Sequence, residues 1–137
     1  MPDLPNVILD TNVFVAAGFN GRSASARIIE AVRSAHLRLV WDEATRGESE
    51  QIVRKIPRLA WERFADLFRA EERFAGATHP DHFNYITDPD DRKFAALAAA
   101  TGATLISNDA HLLQQRAHLA APALTPGEFW RKHGNAT

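Results

Sequence analysis

Two aspartates stand just beyond apolar segments of this 137-residue chain, at positions where a buried strand would end. Asp10 directly follows Val-Ile-Leu, and Asp109 comes shortly after Leu105 and Ile106. In an open α/β sheet, ligands bind in the crevice beyond the carboxyl ends of the strands. A carboxylate buried there is costly unless an opposite charge or a metal ion compensates it. The pattern predicts a shared acidic site, unless each aspartate is only a turn residue or a helix cap.

A second group of acids, Asp88, Asp90 and Asp91, opens a predicted helix. The helix dipole favours acidic residues in a first turn, so a purely structural role is a real alternative for this group. Asp88 occupies the capping position and would be partly used by the cap. Asp91 lies just ahead of Phe94 and can point along the face that packs on the sheet. We therefore favour Asp91 as the site residue and keep Asp88 as the second choice.

Glutamates at positions 43, 48 and 50 compete on another predicted helix. At about 100° per residue, Glu48 lies within about 60° of the apolar stripe of this helix, whereas the other two lie on its far side. Glu50 is four residues from both Arg46 and Arg54, which is typical of a solvated ion-pair arrangement. Glu48 is therefore predicted to point inward, and Glu50 is the next candidate.

Composition places the chain among ordinary globular proteins, with 45% hydrophobic and 24% charged residues, and its length suits one domain over residues 1–137. The absence of cysteine excludes disulfides and thiolate metal sites. No apolar run approaches the roughly 20 residues of a membrane span, and residues 1–5 lack a secretory pattern, which favours a cytoplasmic location. Because the net charge is −1, nucleic-acid contact would need local basic patches or metal ions.

The order of predicted elements alternates strands with helices, which indicates an α/β fold with a parallel sheet covered on both faces. A Gly-Phe-Asn-Gly cluster at 18–21 predicts a turn, and Ser23, Asp42 and Thr125 are predicted helix caps. The predicted strands are 6–10, 37–41, 104–107 and 123–124, with a possible short strand at 77–78. The predicted helices are 23–35, 42–55, 59–74, 88–101 and a last one from 125, and residues 110–117 are predicted to form a short helix or a turn.

Several stretches, taken in this order, resemble the PIN-domain family, and within it the toxin-like branch of prokaryotic toxin–antitoxin systems (VapC-like ribonucleases). They are Leu9-Asp10-Thr11-Asn12-Val13, Glu48 in its helix, Asp88-Pro89-Asp90-Asp91 ahead of Phe94-Ala95-Ala96-Leu97-Ala98, Leu105-Ile106-Ser107-Asn108-Asp109-Ala110-His111-Leu112-Leu113, and Leu124-Thr125-Pro126-Gly127-Glu128-Phe129.

The resemblance implies a three-layer α/β/α sandwich with a central parallel sheet and a metal-dependent ribonuclease. The family's catalytic acids correspond here to Asp10, Glu48, Asp91 and Asp109. The resemblance also implies a homodimer and a cognate antitoxin protein as partners. A catalytically silent module that acts by binding protein or RNA is the alternative function.

The donor set favours a hard cation, because oxygen ligands without cysteine suit Mg²⁺ or Mn²⁺ better than zinc. We expect Asp10 and Asp109 to ligate the ion directly, and Asp91 and Glu48 to ligate it or to hold its waters. The polar supports of the family match Asn12 and Ser107, which would orient a carboxylate or the scissile phosphate.

Basic and imidazole side chains are weaker candidates. Arg22, Arg46 and Lys93 are candidate RNA contacts near the site, although a residue of this kind is more often an ordinary surface charge. His79 and His82 are three residues apart, but Pro80 breaks the helix that would make them a ligand pair. His111 is predicted to lie on a helix surface.

Overall fold

Parallel pairing organises the part of the chain that the computed structural model describes, residues 5–133. Four short strands form one sheet in the order β2-β1-β3-β4. The described residues do not include 1–4 and 134–137. Part of the predicted domain, and part of the amino-terminal stretch considered for a secretory signal, therefore lies outside them. The strands are β1 (Asn6–Leu9), β2 (Arg38–Leu39), β3 (Thr104–Ile106) and β4 (Ala123–Leu124).

Helices connect the strands and confirm the predicted α/β fold. Within residues 5–133, none of them has both the length and the apolar character needed to cross a bilayer. They are α1 (Thr11–Phe19), α2 (Ala24–Arg33), α3 (Glu43–Arg54), α4 (Glu62–Ala65), α5 (Arg92–Thr101), α6 (Ala110–Gln114) and α7 (Pro126–His133), with 3₁₀ turns at Ala70–Glu72, Pro80–Phe83, Pro89–Asp91 and Arg116–His118.

The central strand β1 supplies residues to both cores, one on each face of the sheet. Val7 and Leu9 belong to one buried cluster and Ile8 to the other, as the alternation of side chains along a strand requires. The first core packs α1 and α2 against the sheet through residues such as Phe14, and the second packs α5 through residues such as Phe94. Helices therefore cover both faces, which leaves the strand ends as the open edge of the sheet.

Predicted helix caps are confirmed at several starts. The Ser23 hydroxyl accepts a hydrogen bond from a backbone N–H of the first turn of α2. Asp42 and Thr45 exchange side chain–backbone hydrogen bonds at the start of α3, at 2.9 and 3.1 Å. Thr125 and Glu128 do the same at the start of α7. These caps set the starting point, and so the rotational phase, of each helix.

Helix α1 was not predicted. The sequence interpretation assigned no helix or strand to residues 11–19 and expected a turn at 18–21. The segment is apolar on nearly all sides and therefore lacks a helical periodicity to read. It forms a helix because it packs against α2 and α3, with Val13 and Phe14 fully buried. Tertiary burial outweighs the weak helix propensity of its β-branched residues.

The helix predicted over 59–74 is wrong beyond its first part. Only Glu62–Ala65 is α-helical, and the chain then passes through turns and the 3₁₀ turn Ala70–Glu72 before Arg73 forms a single bridge with Trp41. The Trp41 indole N–H donates to the Arg69 carbonyl at 2.9 Å, which ties this path to β2. The short strand considered at 77–78 does not form within the described residues.

Substitution by alanine is expected to change the free energy of unfolding in opposite directions at two glycines. Gly102 ends α5 with a φ of 75°, a left-handed conformation that costs alanine about 1 kcal/mol or more. Gly47 lies inside α3, where an added Cβ meets nothing within 4 Å, so alanine should stabilise the helix by about 0.5–1 kcal/mol. Urea denaturation should show Gly102→Ala lowering and Gly47→Ala raising the free energy of unfolding; shifts of the same sign would contradict these conformations.

Candidate metal centre

A pocket of about 140 Å³ lies beyond the carboxyl ends of β1 and β3. It brings together all four predicted catalytic acids, although they come from four separate parts of the chain. The residues that line it are Asp10, Thr11, Asn12, Glu48, Ile52, Asp88, Asp90, Asp91, Phe94 and Asp109. Carboxylates therefore dominate the pocket wall, and Asn12 lies exposed at its edge.

Asp10 is held by the strand next to its own. Its backbone N–H donates to the Ile106 carbonyl at 3.0 Å, which continues the pairing of β1 with β3. The Ser107 hydroxyl donates to Asp10 Oδ2 at 2.7 Å, and the same Ser107 Oγ accepts from the Asp109 backbone N–H at 2.9 Å. Asp10 is 3% exposed and Ser107 is fully buried. Ser107 thus fixes the two aspartates relative to each other, as expected for a polar support.

Burial raises the pKa of Asp10 from its ordinary value of 3.8 to about 6. The hydrogen bond from Ser107 offsets part of this rise, and the charges of Asp109 and Glu48 add to it. The carboxylate is therefore held in a position where its negative charge is poorly compensated by the protein.

Asp91 has an uncompensated oxygen. The residue is 6% exposed, and its buried Oδ2 has no hydrogen-bond partner within residues 5–133. Burial is the main cause that raises the pKa of Asp91, followed by the charges of Asp10 and Asp109. A buried, unpartnered carboxylate oxygen that faces other carboxylates requires a proton or a cation. This observation fits a divalent ion held by oxygen donors.

Asp109 occupies the N-cap of α6, so part of its carboxylate is used structurally. Its Oδ1 accepts from the backbone N–H groups of His111 and Leu112 at 2.7 and 3.2 Å. The His111 Nδ1 lies 3.9 Å from the same oxygen. Ligand atoms of Asp91, Asp109 and His111 all lie within 4.8 Å of one another, close enough to hold a metal ion together.

His111 is the residue that the sequence interpretation placed only on a helix surface. Its side chain is 55% exposed, yet it stands beside two of the acids. The only signal in the sequence was its position two residues after Asp109, at the start of a helix. That spacing by itself does not separate a ligand from an ordinary surface histidine.

Glu48, and not Glu50, lines the pocket. Its Oε1 lies 2.6 Å from Lys93 Nζ, and both side chains are largely buried, at 13% and 23% exposed. Glu50 is instead held by Arg46 and Arg54 at 3.0 and 2.7 Å, and the hydrogen bond from Arg54 is the main cause that lowers its pKa. The helical phase predicted for Glu48 is the one observed.

The three cations considered for RNA contact have different surroundings. Lys93 is engaged with Glu48 and lies next to the pocket. Arg46 is engaged with Glu50 and lies over the Trp61 ring at 5.5 Å from its centroid. Arg22 is exposed in the loop between α1 and α2 and is not among the residues that line the pocket.

Comparison with known proteins identifies the family of this chain. The family model described as "PIN domain" matches residues 6–111, most of the chain. The chain belongs to the PIN-domain family. PIN domains are generally nucleases and typically bind divalent metals, which accords with the acidic cluster found here.

A crystal structure of PAE2754 from Pyrobaculum aerophilum has the same fold. The two superpose with a TM-score of 0.61 at 13% sequence identity, over 93% of this PIN domain and 88% of that chain. At this identity the likeness concerns the fold alone. No curated protein matches the chain in the corresponding search.

The pKa of Asp10 leads to a prediction for the metal-free protein. Because the folded-state pKa exceeds the unfolded one, Asp10 costs stability as pH rises from about 4 through about 6. A two-unit shift corresponds to roughly 3 kcal/mol at most. Asp10→Asn should therefore raise the free energy of unfolding in EDTA at pH 8, by on the order of 1–3 kcal/mol, and should lose this advantage at pH 4.

The matched control is Asp66→Asn, which changes a 69% exposed aspartate paired with Arg33. This variant should alter stability by about 0.5 kcal/mol or less at either pH. Urea titrations at pH 4 and pH 8 make the comparison. Equal destabilisation by Asp10→Asn at both pH values would contradict the buried and poorly compensated charge assigned to Asp10.

Proposed function

We propose that this PIN domain is a Mg²⁺- or Mn²⁺-dependent endoribonuclease that hydrolyses RNA phosphodiester bonds at the acidic pocket. The observation that carries the proposal is the buried, unpartnered Oδ2 of Asp91, a residue that lines the pocket together with Asp10 and Asp109. A structural role would be expected to leave this oxygen with a donor, as happens to Asp88 Oδ1, which caps the adjacent turn.

Asp10, Asp91 and Asp109 are the residues that would hold the ion. When bound, a divalent cation lowers the pKa of water and stabilises negative charge on a phosphodiester. Ser107 keeps the Asp10 carboxylate in place through the 2.7 Å hydrogen bond and so preorganises one ligand. Asp109 is oriented by the α6 backbone, which fixes a second ligand without an additional side chain.

Glu48 has a separate role in this proposal. Lys93 binds Glu48 Oε1 and holds the carboxylate against the pocket wall, and it neutralises one of the four acidic charges. Glu48 Oε2 would then accept a hydrogen bond from the attacking water and orient it. Asn12 at the exposed edge would donate to a non-bridging phosphate oxygen of the RNA.

The electrostatics of the pocket also explain why activity would need added metal. An RNA phosphate and a cluster of carboxylates repel each other, and the protein has a net charge of −1. Arg22, which lies exposed beyond α1, is the proposed contact for phosphates away from the cleavage point. Arg46 and Lys93 would act mainly through the glutamates that they bind.

We further propose that the protein is the toxin of a type II toxin–antitoxin pair in the cytoplasm, as a homodimer inhibited by a cognate antitoxin protein. The support for this role is the resemblance of the residue pattern to the toxin-like branch of the family. The catalytically silent module remains the opposing outcome of the activity test.

The activity test uses purified protein, a mixed RNA substrate and a choice of Mn²⁺, Mg²⁺ or EDTA. Wild type should cleave RNA only with added metal, and Mn²⁺ should raise its melting temperature by several degrees, because binding to the folded state stabilises it. Asp10→Asn should lose both effects, with cleavage lowered by about 100-fold or more. Cleavage in EDTA, or an equally active Asp10→Asn variant, would exclude the proposed enzyme.

Two glutamate variants test whether cleavage depends on the carboxylate in the pocket and not on a neighbouring carboxylate outside it. Glu48→Gln should lower the cleavage rate by about 10-fold or more, because the amide is a poorer acceptor for the attacking water. Glu50→Gln, which changes a carboxylate two residues away that is bound by Arg46 and Arg54, should cleave within about twofold of wild type. Equal rates for the two variants would remove Glu48 from the mechanism.

The toxin role has its own test in growing bacterial cells. Induced expression of the wild type should arrest growth, and Asp10→Asn expressed to the same level should not, since arrest would require RNA cleavage. Sedimentation velocity at several concentrations tests the homodimer. Normal growth with an enzyme that cleaves RNA in vitro would reject the toxin role and leave the nuclease intact.

A further inference from the structure

Two imidazoles face each other on the surface turn that precedes α5. The His79 and His82 rings stack with centroids 4.9 Å apart and an interplanar angle of 19°. The sequence interpretation ranked this pair as a weaker candidate because Pro80 breaks the helix that would make it a ligand pair. Pro80 instead begins the 3₁₀ turn Pro80–Phe83, with His79 as the residue that directly precedes it. The His82 N–H closes the turn on the His79 carbonyl at 3.0 Å.

A carboxylate completes this group. Nitrogen atoms of His79 and His82 and an oxygen of Asp81 all lie within 4.8 Å of one another. None of these three side chains makes a hydrogen bond or an ion pair with another described residue. The donors are therefore available, and all three residues are exposed.

The turn that carries these donors is anchored to the core. Phe83, at its end, is 9% exposed and belongs to the buried cluster that includes Phe94 and Leu97 of α5. A cavity of about 320 Å³ lies beside the histidines and is lined also by Ala96, Ala99 and Ala100. The acidic pocket has none of these lining residues, so the two places are separate on the molecule.

We propose that His79, Asp81 and His82 form a second metal site, one per chain, for a dication of the zinc class with water in the remaining position. Two imidazoles and one carboxylate suit Zn²⁺, Co²⁺ or Ni²⁺ rather than the Mg²⁺ favoured by all-oxygen donors. Since no described side chain supports either imidazole from behind, binding should be weaker than at a fully supported site, by about 10–100-fold. The site does not depend on the proposed nuclease activity.

The test is titration of the full chain with Zn²⁺ by calorimetry, with excess Mg²⁺ present. The background variant is Asp10→Asn combined with Asp91→Asn, which removes acids of the first pocket. One equivalent of Zn²⁺ should bind, and Co²⁺ should give a visible absorption spectrum typical of nitrogen ligands. His79→Ala and His82→Ala, each added to this background, should weaken Zn²⁺ binding by more than about tenfold.

The matched control is His36→Ala in the same background, which removes an exposed histidine outside this turn. It should leave the Zn²⁺ affinity and the Co²⁺ spectrum unchanged. Circular dichroism confirms that each variant is folded before titration. Absence of Zn²⁺ binding, binding that survives loss of both His79 and His82, or one ion per two chains would overturn the site, and none of these results would alter the metal dependence of RNA cleavage.

Discussion

Burial of carboxylates that the sheet forces together, with the repulsion between them, is the constraint on which this structure depends. Parallel pairing of β1 with β3 sets Leu9 opposite Ile106, so the next residues of both strands meet at one edge. Asp10 and Ser107 are consequently in contact, although 97 positions separate them in the chain. Ser107 donates to Asp10, the start of α6 donates two backbone N–H groups to Asp109, and Lys93 binds Glu48, whereas Asp91 Oδ2 has no hydrogen-bond partner within the described residues.

The remaining elements fix the acids at this edge. A 3₁₀ turn ahead of α5 points Asp91 inward, while Asp88 takes the local capping role. The Asp42 cap sets the phase of α3, which places Glu48 on the pocket side and Glu50 among arginines. Such an arrangement lowers the stability of the metal-free fold. PIN domains typically bind divalent metals, and a cation-binding site gives a reason for this otherwise unfavourable group of acids.

Most residues of the acidic pocket could be predicted from the sequence because they follow strong local patterns. Apolar runs mark the strand ends that carry Asp10 and Asp109, and helical phase distinguishes Glu48 from Glu50. The prediction failed where long-range packing decides the backbone. Helix α1 forms despite weak periodicity because both neighbouring helices bury it, and the chain leaves the helix after Ala65 for a path of turns that contacts with Trp41 hold in place.

The sequence by itself determined the α/β order, the caps and the identity of the acids, because these depend on residue type and on spacing within one element. Only the tertiary structure decided which acid of the pocket keeps a buried oxygen without a partner, that Lys93 neutralises Glu48, and that His111 stands beside Asp109. The stacking of His79 on His82 was equally hidden, since the same Pro80 that ends an α-helix begins a 3₁₀ turn. Contacts between side chains depend on backbone geometry and on distant segments, and neither is encoded in the spacing of a single stretch.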